Sequence, residues 1–305
     1  MSLHVFANIV TPFGTAANNR AETEGNITTL QKLIWHGQVH STVSAEAIRF
    51  SLRRLLADAE QARTNRSWNE DERVNEWQDH QFSGWATDDG ETFIDDDLLG
   101  YMIAEAAKTE GEAGSASVRR AVLEITRAVS LTPWSGDVTF NAASPGATPS
   151  AAKKGQNPVP YGTEVHATRY QFGLAMTPER LRQPTRAAAA LQAIASLRTV
   201  AGNHGRFLFD FSPESIVLRI TDDPAPRLLY CFDTEDGGKS VGLNTLTRRA
   251  QSGDIHADEL IIGGEVCEGP TGEALRKAGV KTLHAGVKAA VEAACEHINS
   301  RLATA

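Results

Sequence analysis

The sequence predicts an α+β fold whose core runs β-α-β-β-α-β, the split-βαβ order shared by ferredoxin-like and RRM folds. Three observations lead there. Strand-like and helix-like hydrophobic periodicities alternate in that order along the chain. Residues 64–117 lose periodicity and turn acidic. Residues 133–162 gather five of the twelve prolines and four glycines, with almost no large aliphatics. These two stretches read as insertions, a partly helical one at 64–117 and an extended hairpin at 133–162. The core is then discontinuous, residues 1–63 and 118–265, and a helical region at 266–305 closes the chain.

Each element has a local cause. "LHVFANIV" (3–10) is β-rich and alternating, so it opens the core as a strand. A polar loop containing "NNR" and "GN" follows, to about residue 28. Ser44 is placed to cap a helix from Ala45, and Glu46 suits the positive end of its dipole. Ile48, Leu52, Leu55 and Leu56 form its apolar stripe, while Arg49 and Arg53, four apart, share another face. "VRRAVLEITRAVSLTP" (118–133) and "TEVHATRYQFGLAMTP" (163–178) are the next strands. A helix over 179–200 is disturbed by Pro184 and ends at Gly202. "RFLFDF", "SIVLRIT" and "RLLYCF" predict strands between 206 and 232. A helix near 242–252, a strand at 257–262 and a C-terminal helix with Leu283, Val287, Val291, Cys295 and Ile298 on one face complete the pattern.

Composition bounds the function. No apolar run approaches the roughly 20 residues of a membrane span, so no membrane is implied. "MSLHVFANIVTPF" has neither a basic start nor a long apolar run, which indicates no signal peptide. Cys231, Cys267 and Cys295 lie far apart, which suits a reducing cytoplasm and excludes a cysteine zinc cluster. The formal net charge of −8 argues at first against nucleic acid. Its distribution reverses that inference. Residues 55–117 hold sixteen Asp/Glu against four Lys/Arg, and the remainder of the chain is +4.

Several chemistries are proposed by local motifs. "HGQVH" sets His36 and His40 four apart, the spacing of a helical zinc pair, but Gly37 stands where a zincin needs its glutamate. A structural histidine pair, or one that hydrogen-bonds phosphate, fits better. "DTEDGGKS" (233–240) ends like a P-loop, yet Asp233 occupies the place of its first glycine, leaving a Gly-rich turn that presents Lys239. "IDDDLL" (94–99) has three adjacent carboxylates, which read as a solvated acidic surface because neighbouring side chains diverge. "GGEVCEGPTG" has the wrong glycine spacing for a dinucleotide site, and no G-x-S-x-G elbow occurs. No catalytic set, metal site or cofactor site is assembled. Phosphate capture finds more support: Asn18, Asn19 and Arg20 share a loop, Lys32 is near, and Ser44 starts a helix whose free N–H groups suit an anion. Arg49 and Arg53 would extend that contact; as surface charges paired with nearby acids they have an equally simple use.

The run "HVFANIVTPFGTAANNRAETEGNITTLQKLIWHGQVHSTVSAEAIRFSLRR" closely resembles the start of the DevR branch of CRISPR Cascade backbone subunits, found in type I-B and related systems. "EVHATRYQF" agrees as well, so the specific match covers about the first 54 residues and 160–178. The resemblance implies a hand-shaped protein: an RRM-like palm, a finger at 64–117 and a β-hairpin thumb at 133–162. It implies a non-catalytic subunit that binds CRISPR RNA along its backbone and stacks with further copies of itself into a helical filament. Other Cascade subunits and target DNA paired to the guide are its further partners, and the protein reads backbone while base pairing reads sequence. On this resemblance Asn18, Asn19, Arg20, Lys32, His40, Ser44, Arg49 and Arg53 line the guide-binding face. His36 and Lys239 join them as donors, and Lys153 and Lys154 are the basic residues of the thumb. Related CRISPR families cleave RNA, so a nuclease using His36 and His40 as acid and base is the alternative.

Overall fold

The computed structural model describes residues 2–17, 23–59, 64–105, 115–142, 160–200 and 208–304, backbone only at 103–105 and 115–117. Its organising strand is His4–Val10. Val5, Ala7 and Ile9 point into one apolar cluster, Phe6 and Val10 into another. A strand apolar on both faces is stable only in the middle of a sheet covered on both sides. It pairs antiparallel with Tyr170–Met176 and with Ser215–Thr221, in the registers Val5↔Met176 and Val5↔Ile220. The full nine-stranded sheet runs Thr282–His284, Leu260–Gly264, Ser215–Thr221, His4–Val10, Tyr170–Met176, Ala128–Ser130, Gln38–Val43, Lys32–Trp35, with Glu124–Ile125 also on Tyr170–Met176.

Helices Ala45–Ala59, Arg186–Ala195 and Val287–Ala303 cover one face, burying Ile48, Leu52, Leu56, Leu191, Ile194, Val291 and Ile298 against it. Each such side chain contributes roughly 1.5–3 kcal/mol by leaving water. Helix Ala45–Ala59 starts where expected because the Ser44 hydroxyl accepts the Ala47 N–H at 3.2 Å. Leu246, Ile262 and Leu275 belong to the cluster on the opposite face.

Several expected elements differ. The "KLIWHGQVHSTV" run is a β-hairpin, Lys32–Trp35 against Gln38–Val43. His36 and Gly37, with φ of 48° and 80°, make its two-residue turn, a left-handed geometry that glycine adopts freely. The stretch 163–178 is two strands, Tyr161–Thr168 and Tyr170–Met176, in different sheets and separated by the buried Arg169. "RLLYCF" is no strand, because Arg227 and Tyr230 take positive φ. Of "RFLFDF", residues 206 and 207 lie outside the described residues; Phe209 and Phe211 pack as core around Tyr170 without strand pairing. Leu283 belongs to a short strand rather than to the last helix. The helix predicted over 179–200 is shorter, Arg186–Ala195, after a 3-10 turn at Pro178–Arg180.

Within 133–162, Val138–Asn141 pairs antiparallel with the start of Tyr161–Thr168. Within 64–117 lie two hairpins, Arg66–Asn69 with Val74–Trp77 and Tyr101–Glu105 with Ser115–Arg119, flanking helix Ile94–Leu99. Here the expectation of a solvated acidic surface is overturned. Asp95, Asp96 and Asp97 are 1%, 3% and 0% exposed. They diverge, as neighbours do, but each finds inward partners. Asp97 accepts from the Arg186 and Arg119 guanidinium groups at 3.0 and 2.7 Å and from the backbone N–H groups of Arg182 and Gln183. Asp95 takes Arg53 at 3.1 Å and the N–H groups of Asn65 and Arg66. Among the described residues the Asp96 carboxylate has only the Asn65 amide, at 2.8 Å, and burial beside Asp95 pushes its carboxyl up to about 7. Gly100 ends the helix at φ 68°, where a Cβ would strike the Arg119 carbonyl.

The triplet generates a paired prediction. Asp97→Ala removes the carboxylate partner of the buried Arg186 and the half-buried Arg119 and should lower the unfolding free energy by about 3–5 kcal/mol in a urea titration. Asp96 holds its proton in the folded state to about pH 7, whereas an unfolded aspartate releases it near pH ~4. The folded state therefore binds more protons between those values, and this group makes stability fall as pH rises through them. Asp96→Asn should gain on the parent by about 1–3 kcal/mol at pH 8 and by much less at pH 4, read as the difference between the two pH profiles.

Candidate functional site

The two motif stretches that lie far apart in sequence meet in the fold. Glu164, nearly buried, accepts the Leu30 N–H at 2.7 Å and pairs with Lys32 at 2.6 Å. The Lys32 ammonium also lies 4.0 Å from the centre of the Trp134 ring, and the Trp134 indole N–H donates to the Val165 carbonyl. This cluster joins the edge hairpin of the large sheet to the base of the Val138–Asn141 ladder.

Behind it, Ser41 Oγ lies 2.7 Å from both His166 Nδ1 and Tyr170 Oη. Burial pushes His166 down to about 4 and Tyr170 up to about 12, so both are neutral near pH 7. A neutral imidazole accepts through one nitrogen, which lets the Ser41 hydroxyl bridge ring and phenol. His40 is also buried, its Nδ1 2.7 Å from the Ser130 carbonyl oxygen. Thr132 and Thr168 exchange a hydroxyl contact at 2.7 Å. Next in the chain, Arg169 donates to the carbonyls of Gly238 at 2.9 Å, Thr11 at 3.2 Å and Lys239 at 3.4 Å, and pairs with Glu214.

The sequence-predicted site residues separate into three groups. Asn18, Asn19, Arg20, Lys153 and Lys154 lie outside the described residues. His36 at the hairpin apex and Lys239 in the Gly-rich turn are exposed, and Lys32 stands at the rim of the Glu164–Trp134 cluster. The rest have internal partners: His40 on Ser130, Ser44 on its helix, Arg49 on the Leu99 carbonyl and Arg53 on Asp95. Burial and the neighbouring Arg53 lower the Arg49 pKa. The four-residue spacing of His36 and His40 gives no shared site: one is the turn, the other sits in the third pair down the ladder, opposite Leu33. Sequence reasoning missed Glu164, Arg169, Ser41 and His166 as the residues that join these segments, although all four lie in its quoted motifs.

Among the described residues no group of three or more His, Cys, Asp or Glu is placed to hold a metal ion, and no helix is long and apolar enough to cross a membrane. What the fold presents is a buried polar junction, with Lys32 at its edge and Lys239 in the turn that Arg169 holds. The comparisons with known proteins give the particular family. Residues 11–185 match the family described as CRISPR-associated negative auto-regulator DevR/Csa2. The CRISPR-associated protein Cas7/Cst2/DevR of Myxococcus xanthus (strain DK1622) is 62% identical over 302 residues, 99% of each chain. The chain belongs to this family. Two solved structures share the fold at low identity. A chain of a CRISPR RNA-guided surveillance complex is 15% identical, with TM-score 0.56, over 97% of this chain and 99% of its own. A chain of a pre-nicking CRISPR RNA-guided surveillance complex is 13% identical, with TM-score 0.59, over the same shares.

The junction predicts a specific weakness. Ser41→Ala removes the partner of both His166 Nδ1 and Tyr170 Oη and should cost about 1–3 kcal/mol in chemical denaturation.

Proposed function

We propose that this protein is a non-catalytic backbone subunit of a Cascade-type effector, binding CRISPR RNA and repeating along it. The nine-stranded sheet with its covering helices serves as an RRM-like palm, residues 64–117 as the finger, and the hairpin rooted at Val138–Asn141 as the thumb. The single observation that carries the choice of scaffold over nuclease is the state of the motif histidines. His40 and His166 are buried and bonded to Ser130 and Ser41, so neither faces a substrate, and His36 stands apart on a turn. General acid–base cleavage needs two such groups on one reacting phosphate. Family membership, and the guided complexes in which the structural relatives were solved, support RNA as the ligand.

On this reading the phosphate contacts come from Lys32, His36 and Lys239, together with Asn18, Asn19, Arg20, Lys153 and Lys154, which lie outside the described residues. Arg49 and Arg53 instead bind helix Ala45–Ala59 to the finger, and His40 and Ser44 hold the palm in shape. Target DNA pairs with the exposed guide, other Cascade subunits cap the assembly, and the whole is cytoplasmic.

Lys32→Ala and Lys239→Ala should each weaken binding to unrelated guide sequences equally. Each should also flatten the log–log salt dependence by about 0.7 for a single-strand contact. Unchanged slopes would leave Lys32 with its Glu164 pair alone and make Lys239 an ordinary surface charge. Guide RNA incubated with the parent protein, with and without Mg2+, should remain whole; cleavage at a fixed position would restore the nuclease.

A further inference from the structure

A cleft of about 670 Å³ opens between the base of the Tyr101–Glu105/Ser115–Arg119 hairpin and the strand ends at His4 and Met176. It lies at the far end of the sheet from the polar junction. The junction gathers around Thr11 and Arg169, just past the Val10↔Gln171 pair, whereas the cleft borders the Val5↔Met176 pair. At ~3.3 Å per residue the two are roughly 20 Å apart along the strand.

The charged lining of this cleft is mostly guanidinium. The Trp85 indole N–H and the Arg119 Nε–H are buried and, among the described residues, find no partner. The Arg119 guanidinium lies 4.0 Å from the Trp85 ring centre and Arg182 lies 5.2 Å from it, so the ring sits in a cationic environment. Tyr101 leans on Trp85 at 6.1 Å. Asp97 already offsets the charge of Arg119. Arg120 and Arg180 also line the cleft; both are exposed and make no ion pair among the described residues. Glu124 is the one carboxylate in the lining. The volume falls within the ~300–1,000 Å³ of small-ligand sites. Two uncommitted guanidinium groups beside the Trp85 and Tyr101 rings describe a complement that is anionic and rich in acceptors. Guanidinium forks suit phosphate, and aromatic and arginine planes suit a base.

We propose that this cleft is a second nucleic-acid site, taking one phosphorylated nucleotide, free or at the end of a single strand, independently of the guide-binding face.

The test uses the protein in its RNA-loaded complex, titrated by calorimetry with AMP, with the dinucleotide pApA and with inorganic phosphate. Saturable binding is expected for the dinucleotide, and for AMP if the ligand is a free nucleotide; binding of pApA alone assigns the site to a strand end. Arg120→Gln combined with Arg180→Gln should weaken that binding at least ~10-fold, with unchanged melting and guide content, since neither side chain supports the fold. Three results would overturn the proposal: no saturable binding of either nucleotide at millimolar concentration, undiminished binding by the double variant, or inorganic phosphate binding as tightly as the nucleotides.

Discussion

The candidate RNA face depends on Arg169, a guanidinium 5% exposed at the point where the chain leaves one sheet and enters another. A buried cation unpaired costs several kcal/mol, so its surroundings are obliged to bring it acceptors. They come from three segments: Thr11 after the first strand, Glu214 before the strand Ser215–Thr221, and the carbonyls of Gly238 and Lys239. One side chain thereby fixes the sheet switch and the turn that offers Lys239 to solvent. Glu164 and Ser41 repeat the principle a few residues away, each anchoring the hairpin that carries His36. The motif residues act from inside, holding these segments together.

The acidic segment 64–117 follows the same rule. Part of its charge is turned inward, because the Asp95–Asp97 triplet is spent on Arg53, Arg119, Arg186 and four backbone N–H groups. Arginine is suited to such buried pairing, since its planar fork satisfies a carboxylate at two points. The segment is therefore joined to helices Ala45–Ala59 and Arg186–Ala195 by charge as well as by Ile94, Leu98 and Leu99, which share their apolar core. Asp96 is the weak member, with one amide partner and an adjacent like charge.

Much of the fold was legible because hydrophobic period and helix capping report directly on burial. His4–Val10, the Ser44 cap, the Ile48–Leu52–Leu56 stripe and Ser215–Thr221 all lie where the pattern puts them. The failures share one cause: polar residues were read as exposed. A carboxylate that is buried and paired looks the same in sequence as one in solvent, which hid the Asp triplet. A spacing of four puts His36 and His40 on one face of either a helix or a strand, so it could not reveal the His36–Gly37 turn. Arg169 hid the strand break because a charged residue inside a β-rich run reads as an outward position. The alternating "KLIW" and "QVHSTV" around a glycine-containing dipeptide was the available signal for the hairpin.

With His40 and His166 turned inward, the role proposed for this protein is to hold a guide RNA in place. The most direct measurement is to purify the protein with its co-expressed operon partners and sequence the RNA that accompanies it. The account predicts intact RNA of uniform length carrying CRISPR repeat sequence, bound to several copies of the chain. Recovery of the protein as a monomer without RNA, or with a random sample of cellular transcripts, would contradict it.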